Sequence, residues 1–345
     1  EVVPLMIGER EITYEEEGER GSGEDPSRPG HEVYSFTLAN SQHVEQVLAS
    51  SRLAQNEWSK KSIEERAQIF ARIAQNLREA RGALIGAMML DAGKTMEEAD
   101  VEVSEAIDFA EYYWRSLKNI HAIEGISWQP LGTFLIIPPW NFPCAIPAGG
   151  VLAALSTGNT VIFKPSRETV LVAWTLVKLF WEAGVPRSAL QFITGKSSVI
   201  GDLLVKDERV NGVVLTGSTA TARHLLSIRP NLYLMAETGG KNALIVTRLA
   251  DRDLALKDAL QSAFGHAGQK CSACSLLILE SEVYDDPSFR DQLKDAVDSL
   301  YVSGVWDLKC KINPLVCSPS GVLKQGISTL EEGEEWLLKP KQDLS

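Results

Sequence analysis

The chain has 345 residues, 44% of them hydrophobic and 23% charged, with a formal net charge of −12. That length exceeds one small core and predicts two domains, while the negative balance excludes nucleic acid and anionic membranes as partners, because both demand clustered cations. No run approaches the roughly 20 apolar residues of a membrane span, and the start, Glu1-Val2-Val3-Pro4, lacks the basic-then-apolar texture of a secretory signal.

The first 35 residues are charged and Gly-rich, and 18–30 reads as a loop, with turn chemistry at Asp25-Pro26-Ser27-Arg28-Pro29-Gly30. Helical periodicity follows. Val44, Val47, Leu48 and Leu53 mark one helix. Ser62-Ile63-Glu64-Glu65 has the form of a capping box opening a second, with Ile69, Phe70, Ile73 and Leu77 on its face. A third runs from about 96 to 113. After Gln129, short apolar runs at 135–137, 160–163, 213–215 and 232–234 read as buried strands. Stretches 145–155, 170–183, 197–205 and 219–227 read as helices between them, which argues βαβ units and a parallel sheet. From Ala243 a second series begins, with strands near 244–246 and 276–279 and helices near 254–267 and 289–300. The fold class is therefore α/β, in two α/β domains.

Several segments carry chemistry. Pro138-Pro139-Trp140-Asn141-Phe142-Pro143 follows a strand and cannot continue it, so it forms a rigid loop at the strand's carboxyl end, where ligands bind in open α/β sheets. Asn141 there either donates an amide N–H to an oxyanion or caps the next helix. Lys164, at the end of the strand 160–163, either reaches a ribose hydroxyl or phosphate, or is simply solvated. Thr216-Gly217-Ser218-Thr219 is a strand end, a tight turn and a helix start, a cap with or without a pyrophosphate. The chain has no G-x-G-x-x-G fingerprint. Neither Gly93-Lys94-Thr95 nor Gly195-Lys196-Ser197 completes a Walker A loop, since Met88 and Leu190 stand where the first glycine should.

Glu237-Thr238-Gly239-Gly240-Lys241 and Gly268-Gln269-Lys270-Cys271 offer a carboxylate and a thiol with glycines close by. A thiolate is a nucleophile, and a carboxylate serves as general base for a later water attack. Cys271-Ser272-Ala273-Cys274 is formally C-x-x-C, but a helical pattern precedes it and a strand follows, the reverse of a redox motif. Metal binding would need a second ligand pair, so no metal site is expected and Cys274 reads as a buried structural residue. A cysteine hydrolase would need a His base, and His266 lies nearest Cys271 in the chain. The five cysteines, Cys144, Cys271, Cys274, Cys310 and Cys317, form an odd set without framework spacing, which predicts a reduced, cytoplasmic protein.

In order, PPWNFP, FKPS, LTGST, ETGGKN and AGQKCSA resemble the aldehyde dehydrogenase superfamily over nearly the whole chain. The runs 236–243 and 267–273 are similar to its L-glutamate γ-semialdehyde (Δ1-pyrroline-5-carboxylate) dehydrogenase branch, as found in bifunctional proline utilisation proteins. The resemblance implies N-terminal helices with a Rossmann-like NAD domain over 1–236 and a catalytic domain over 237–345, incomplete at its end. It implies Cys271 as nucleophile, Asn141 with the Cys271 N–H as oxyanion donors, and Glu237 as the base for thioester hydrolysis. Pro139, Trp140, Lys164, Ser166, Thr216, Gly217 and Ser218 would line the NAD site, with Gly195 and Gly201 matching glycines of the cofactor domain. Ser272 would hold the substrate carboxylate. Arg167 stands where many members carry a ribose-binding Glu, so NADP stays open beside NAD. The family's later E-x-F-G-P-[VL] segment is missing, and the chain starts without Met, so it is expected to be a fragment. A homo-oligomer and a fused or partner proline dehydrogenase are implied for the complete protein. A general aldehyde dehydrogenase, or a catalytically silent relative, are the alternative readings.

Overall fold

The computed structural model describes residues 1–340, and the chain divides into two compact units, Glu1–Gly239 and Gly240–Ser345. The first opens with five short strands, β1 (Val2–Val3), β2 (Leu5–Ile7), β3 (Arg10–Ile12), β4 (Glu19–Glu24) and β5 (Glu32–Leu38). Four helices follow, α1 (Ser41–Trp58), α2 (Ile63–Glu79), α3 (Arg81–Ala92) and α4 (Met96–His121). Then come β6 (Thr133–Ile137), α5 (Ala145–Ser156), β7 (Thr160–Phe163), α6 (Val170–Glu182) and β8 (Leu190–Phe192). The unit closes with α7 (Asp202–Lys206), β9 (Val210–Gly217), α8 (Thr219–Ile228) and β10 (Leu234–Thr238).

The predicted parallel sheet is present. Strands β10, β9, β6, β7 and β8 run parallel in that spatial order, and β2 and β3 extend the sheet antiparallel beyond β8. Side chains alternate between two buried faces, as the period of a strand requires. Phe134, Ile136, Val161 and Phe163 join the core that includes α5 and α6. Leu135 and Ile162 join the core that includes α1, α7 and α8. The chain lays down β6, β7 and β8 in one direction, then returns to the opposite side of β6 for β9 and β10. Strand order therefore reverses between β6 and β9, and the crevice at their carboxyl ends is the place where open α/β sheets bind ligands.

The stretch 18–30, expected as a loop, instead contains β4, antiparallel to β5, with β1 on the far side. The two glycines inside β4 serve close packing rather than flexibility. Gly21 and Gly23 stand opposite Phe36 and Tyr34, and a Cβ on either would lie 2.4 Å or 2.1 Å from those rings. The capping box of α2 forms as read, Glu65 N–H donating to Ser62 Oγ at 3.1 Å and Ser62 N–H to Glu65 Oε2 at 2.7 Å.

In the second unit, β11 (Asn242–Val246) and β12 (Cys274–Leu279) form a parallel pair connected by α9 (Arg252–Phe264). Val246, Leu256, Val283 and Phe289 make its core, together with α10 (Ser281–Tyr284) and α11 (Pro287–Asp298); α12 (Gly321–Ser328) follows. Ile245, Leu276 and Ile278 are exposed. No helix among the described residues is long and apolar enough to cross a membrane.

Candidate active site

Residues 138–143 leave β6 as irregular backbone, with Pro139, Trp140 and Asn141 half-buried. The helix that follows, α5, has no side-chain cap of its own. Its first N–H groups are taken by a carboxylate from α4: Cys144 N–H and Ala145 N–H donate to Glu102 Oε1 at 2.7 Å and 3.1 Å. The other oxygen of Glu102 accepts from Lys94 Nζ at 2.6 Å. The same ammonium donates to the Asn141 carbonyl at 3.0 Å and lies 4.1 Å from the centroid of the Phe142 ring. Both charged side chains are only 1% exposed. Sequence reading missed this pair. The available signal was Gly93, which closes α3 at φ 61°, followed by Lys94 and then Thr95, whose Oγ1 caps α4 by accepting from Glu98 N–H. A lysine in so tight a helix–helix corner has little room to reach solvent. Burial, reinforced by the Glu102 carboxylate, pushes the Cys144 thiol well above its ordinary pKa, so Cys144 stays protonated and unreactive.

At the end of β7, Lys164 N–H donates to Ile136 O at 3.0 Å and the residue is 4% exposed. Lys164 Nζ donates to Ser197 Oγ at 3.2 Å. Burial lowers its pKa to about 8, with Glu168 opposing the drop and Arg167 adding to it. Ser166 Oγ bonds the Glu168 carboxylate. The helix expected over 197–205 is split into a π turn, Ser197–Gly201, and α7. Gly195 supports that turn: a Cβ there would stand 2.6 Å from Ile200 Cδ1. At Gly201 a Cβ would make only ordinary contact with Ser197. Thr216 and Gly217 end β9, and Ser218 caps α8, its Oγ accepting from Thr221 N–H at 3.0 Å. A buried ammonium at the end of β7 and a helix N-terminus after β9, where strand order reverses, suit the ribose hydroxyls and pyrophosphate of a dinucleotide.

Glu237 was expected just beyond a strand at 232–234; it lies inside β10, exposed, paired in register with Thr216, while Thr238 pairs with Gly217. The first unit thus brings Asn141, Lys164, Thr216, Gly217, Ser218 and Glu237 to one edge of one sheet.

In the second unit, Cys271 and Ser272 are exposed, just after a short turn, Gly265–Gly268. His266 and Ala267 sit at φ 51° and 54°, a left-handed conformation rare for residues with side chains. The His266 ring is fully buried, with its Nδ1 3.0 Å from Asn313 Nδ2. Gln269 Nε2 donates to His266 O at 3.0 Å, and its Oε1 accepts from Val316 N–H at 3.0 Å. Asn242 Nδ2 donates to Cys271 O at 2.6 Å and to Ala273 O at 3.1 Å, which ties the thiol's own backbone to the start of β11. Cys274, expected buried, is half-buried at the start of β12, with its N–H on Ser262 Oγ at 3.1 Å; the sheet face it joins is open.

The model of the aldehyde dehydrogenase family matches residues 14–326. The 1-pyrroline-5-carboxylate dehydrogenase of Oceanobacillus iheyensis is 36% identical over 280 residues, covering 76% of this chain and 54% of that protein. The protein of the same name from Staphylococcus aureus is 33% identical over 332 residues, covering 89% and 64%. Among solved structures, proline utilization A from Bdellovibrio bacteriovorus superposes with a TM-score of 0.86 at 32% identity, over 92% of this chain and 34% of that one. A 1-pyrroline-5-carboxylate dehydrogenase from Thermus with bound NAD gives 0.85 at 31% identity, over 92% and 64%. The chain therefore spans 54% to 64% of the length of these two curated relatives.

Proposed function

Since this chain belongs to the aldehyde dehydrogenase family, we propose that the complete protein oxidises L-glutamate γ-semialdehyde, the open form of 1-pyrroline-5-carboxylate, to L-glutamate with NAD. The observation that carries the reading is the run of relatives named for this substrate, at 33% to 36% identity over most of the chain. In the proposed sequence Cys271 sulfur adds to the aldehyde carbon, and the Asn141 amide with the Cys271 N–H donates to the oxyanion that forms. NAD, when bound, supplies the acceptor for the hydride lost from that carbon. Glu237 then takes a proton from the water that attacks the resulting thioester, releasing the carboxylate and the Cys271 thiolate. Lys164 would hold the adenosine ribose, with Ser166, Pro139 and Trp140 lining the same crevice, and Ser218 with the first turn of α8 would hold the pyrophosphate. Ser272, beside the nucleophile, would meet the substrate's α-carboxylate. The likeness to proline utilization A supports a fused or partner proline dehydrogenase as the source of the semialdehyde. Five thiols that form no disulfide among the described residues support a reducing, cytoplasmic setting.

A site built to pair an α-carboxylate and ammonium rejects an aldehyde lacking them, because its buried polar groups would be left unpaired. The test is NADH formation by the complete protein with the semialdehyde and with an unsubstituted aldehyde of equal length. A kcat/KM at least ~100-fold higher for the semialdehyde is expected. Comparable values would overturn the substrate and leave a general aldehyde dehydrogenase.

A further inference from the structure

We infer that Lys94 and Glu102 are positioning residues for the oxyanion step: the buried pair clamps the backbone on both sides of Phe142-Pro143 and so fixes where the Asn141 amide points. The inference rests on the aldehyde oxidation proposed above. The segment 138–143 holds three prolines, which supply no N–H, and it belongs to no helix or strand, so it cannot anchor itself through a ladder. Its anchors come from elsewhere. Lys94 Nζ holds the Asn141 carbonyl at 3.0 Å, and Glu102 Oε1 holds Cys144 N–H at 2.7 Å, three residues further on. The two anchors are joined by the 2.6 Å contact between them, and the Phe142 ring closes over the ammonium. Pinning Asn141 O and Cys144 N from one rigid pair leaves the intervening peptides, and the Cα that carries the Asn141 side chain, little freedom. A donor to a developing oxyanion acts only when held in place beforehand, and misplacing it by about 1 Å costs on the order of 100-fold.

Neither single replacement is a clean probe. Glu102→Gln leaves a bare buried ammonium, and Lys94→Met leaves a bare carboxylate, so either could impair folding. The double variant Lys94→Met/Glu102→Gln removes both charges together, keeps an oxygen for Cys144 and Ala145, and deletes the ammonium's grip on Asn141 O along with its contacts to residue 102 and the Phe142 ring. In the complete protein, we expect first-turnover NADH formation to slow by about 10- to 100-fold, while the burst amplitude per subunit and the dissociation constant for NAD stay within about threefold. A merely structural role would lower amplitude and leave the first-turnover rate intact. Adding Asn141→Ala to the double variant is expected to cost far less than Asn141→Ala alone, because the interaction is already lost. An unchanged first-turnover rate in the double variant, or full additivity with Asn141→Ala, overturns the positioning role while leaving the proposed function standing. An unmodified protein that forms no NADH from any aldehyde overturns the proposed function, and this inference with it.

Discussion

Replacing Lys164 with Met is expected to make the protein more stable and less able to bind NAD. Lys164 is 4% exposed, and burial drops its pKa from 10.5 to about 8. At pH 7 both folded and unfolded forms carry the proton, so the shift measures the cost of keeping a cation out of water, about 3 kcal/mol at 1.36 kcal/mol per pKa unit. Against that stands one hydrogen bond, to Ser197 Oγ at 3.2 Å, worth about 1 kcal/mol. Met fills nearly the same volume, so a net gain of about 2 kcal/mol should appear in urea unfolding at pH 7. The sign with pH follows from the depressed folded pKa. The unfolded chain binds the extra proton between about pH 8 and 10.5, so the native Lys164 protein gains about 3 kcal/mol across that window, and the advantage of Met vanishes within it and reverses by about 1 kcal/mol at its upper end. NAD titration of the same variant should show weaker binding. A Met variant that is less stable at pH 7, or whose advantage does not fade toward pH 10, would refute the reasoning.

Replacing each cysteine by Ala in the complete protein should abolish NADH formation only at Cys271; retained activity there, or loss only at Cys274, would remove the nucleophile assignment. Glu237→Gln should keep a first burst of NADH and lose steady turnover, since the carboxamide keeps the shape without the basicity, and full steady turnover would place the base elsewhere. Burial raises the Asp91 carboxyl to about 7, despite the bond it accepts from Tyr34 Oη at 2.6 Å. The unfolded carboxyl ionises first as pH rises from about 4 to 7, so stability contributed below pH 4 is lost over that window, by about 4 kcal/mol in order of magnitude. Asp91→Asn should flatten this part of the pH profile, and an unchanged slope would assign it to other groups. Titration with both cofactors should show tighter binding of NAD than NADP; Arg167 could pair with a 2′-phosphate, and tighter NADP binding would show that it does.

What the sequence made legible follows from how clearly pattern and packing agree. The capping box at Ser62 and the strand at 160–163 are local signals with no competitor, and they appear where read. Strand β8 escaped because its centre is polar. Gln191 is fully buried there, its side chain bonding Gly8 N–H, Val47 O and Ser51 Oγ across long sequence separations. The hairpin of β4 and β5 escaped because glycines facing aromatic rings have the composition of a loop. The chemistry-bearing segments were visible as motifs, but the gathering of those in the first unit depends on the reversal between β6 and β9, which only the order of strands defines. Lys94 and Glu102 stayed hidden for a related reason: charged residues read as solvated until something shows what surrounds them.

The buried Lys94–Glu102 pair also restricts how this chain can drift over generations. Losing either partner alone strands the other charge away from water, at about 3–5 kcal/mol, a large share of the whole stability of a typical domain. Losing both together is close to neutral for folding. The two codons are therefore separated from any uncharged combination by a valley that single substitutions must cross at a deficit. Descendants should keep both charges or neither, and, under the oxyanion role proposed for the loop after β6, lineages that keep neither should be those in which that role is lost.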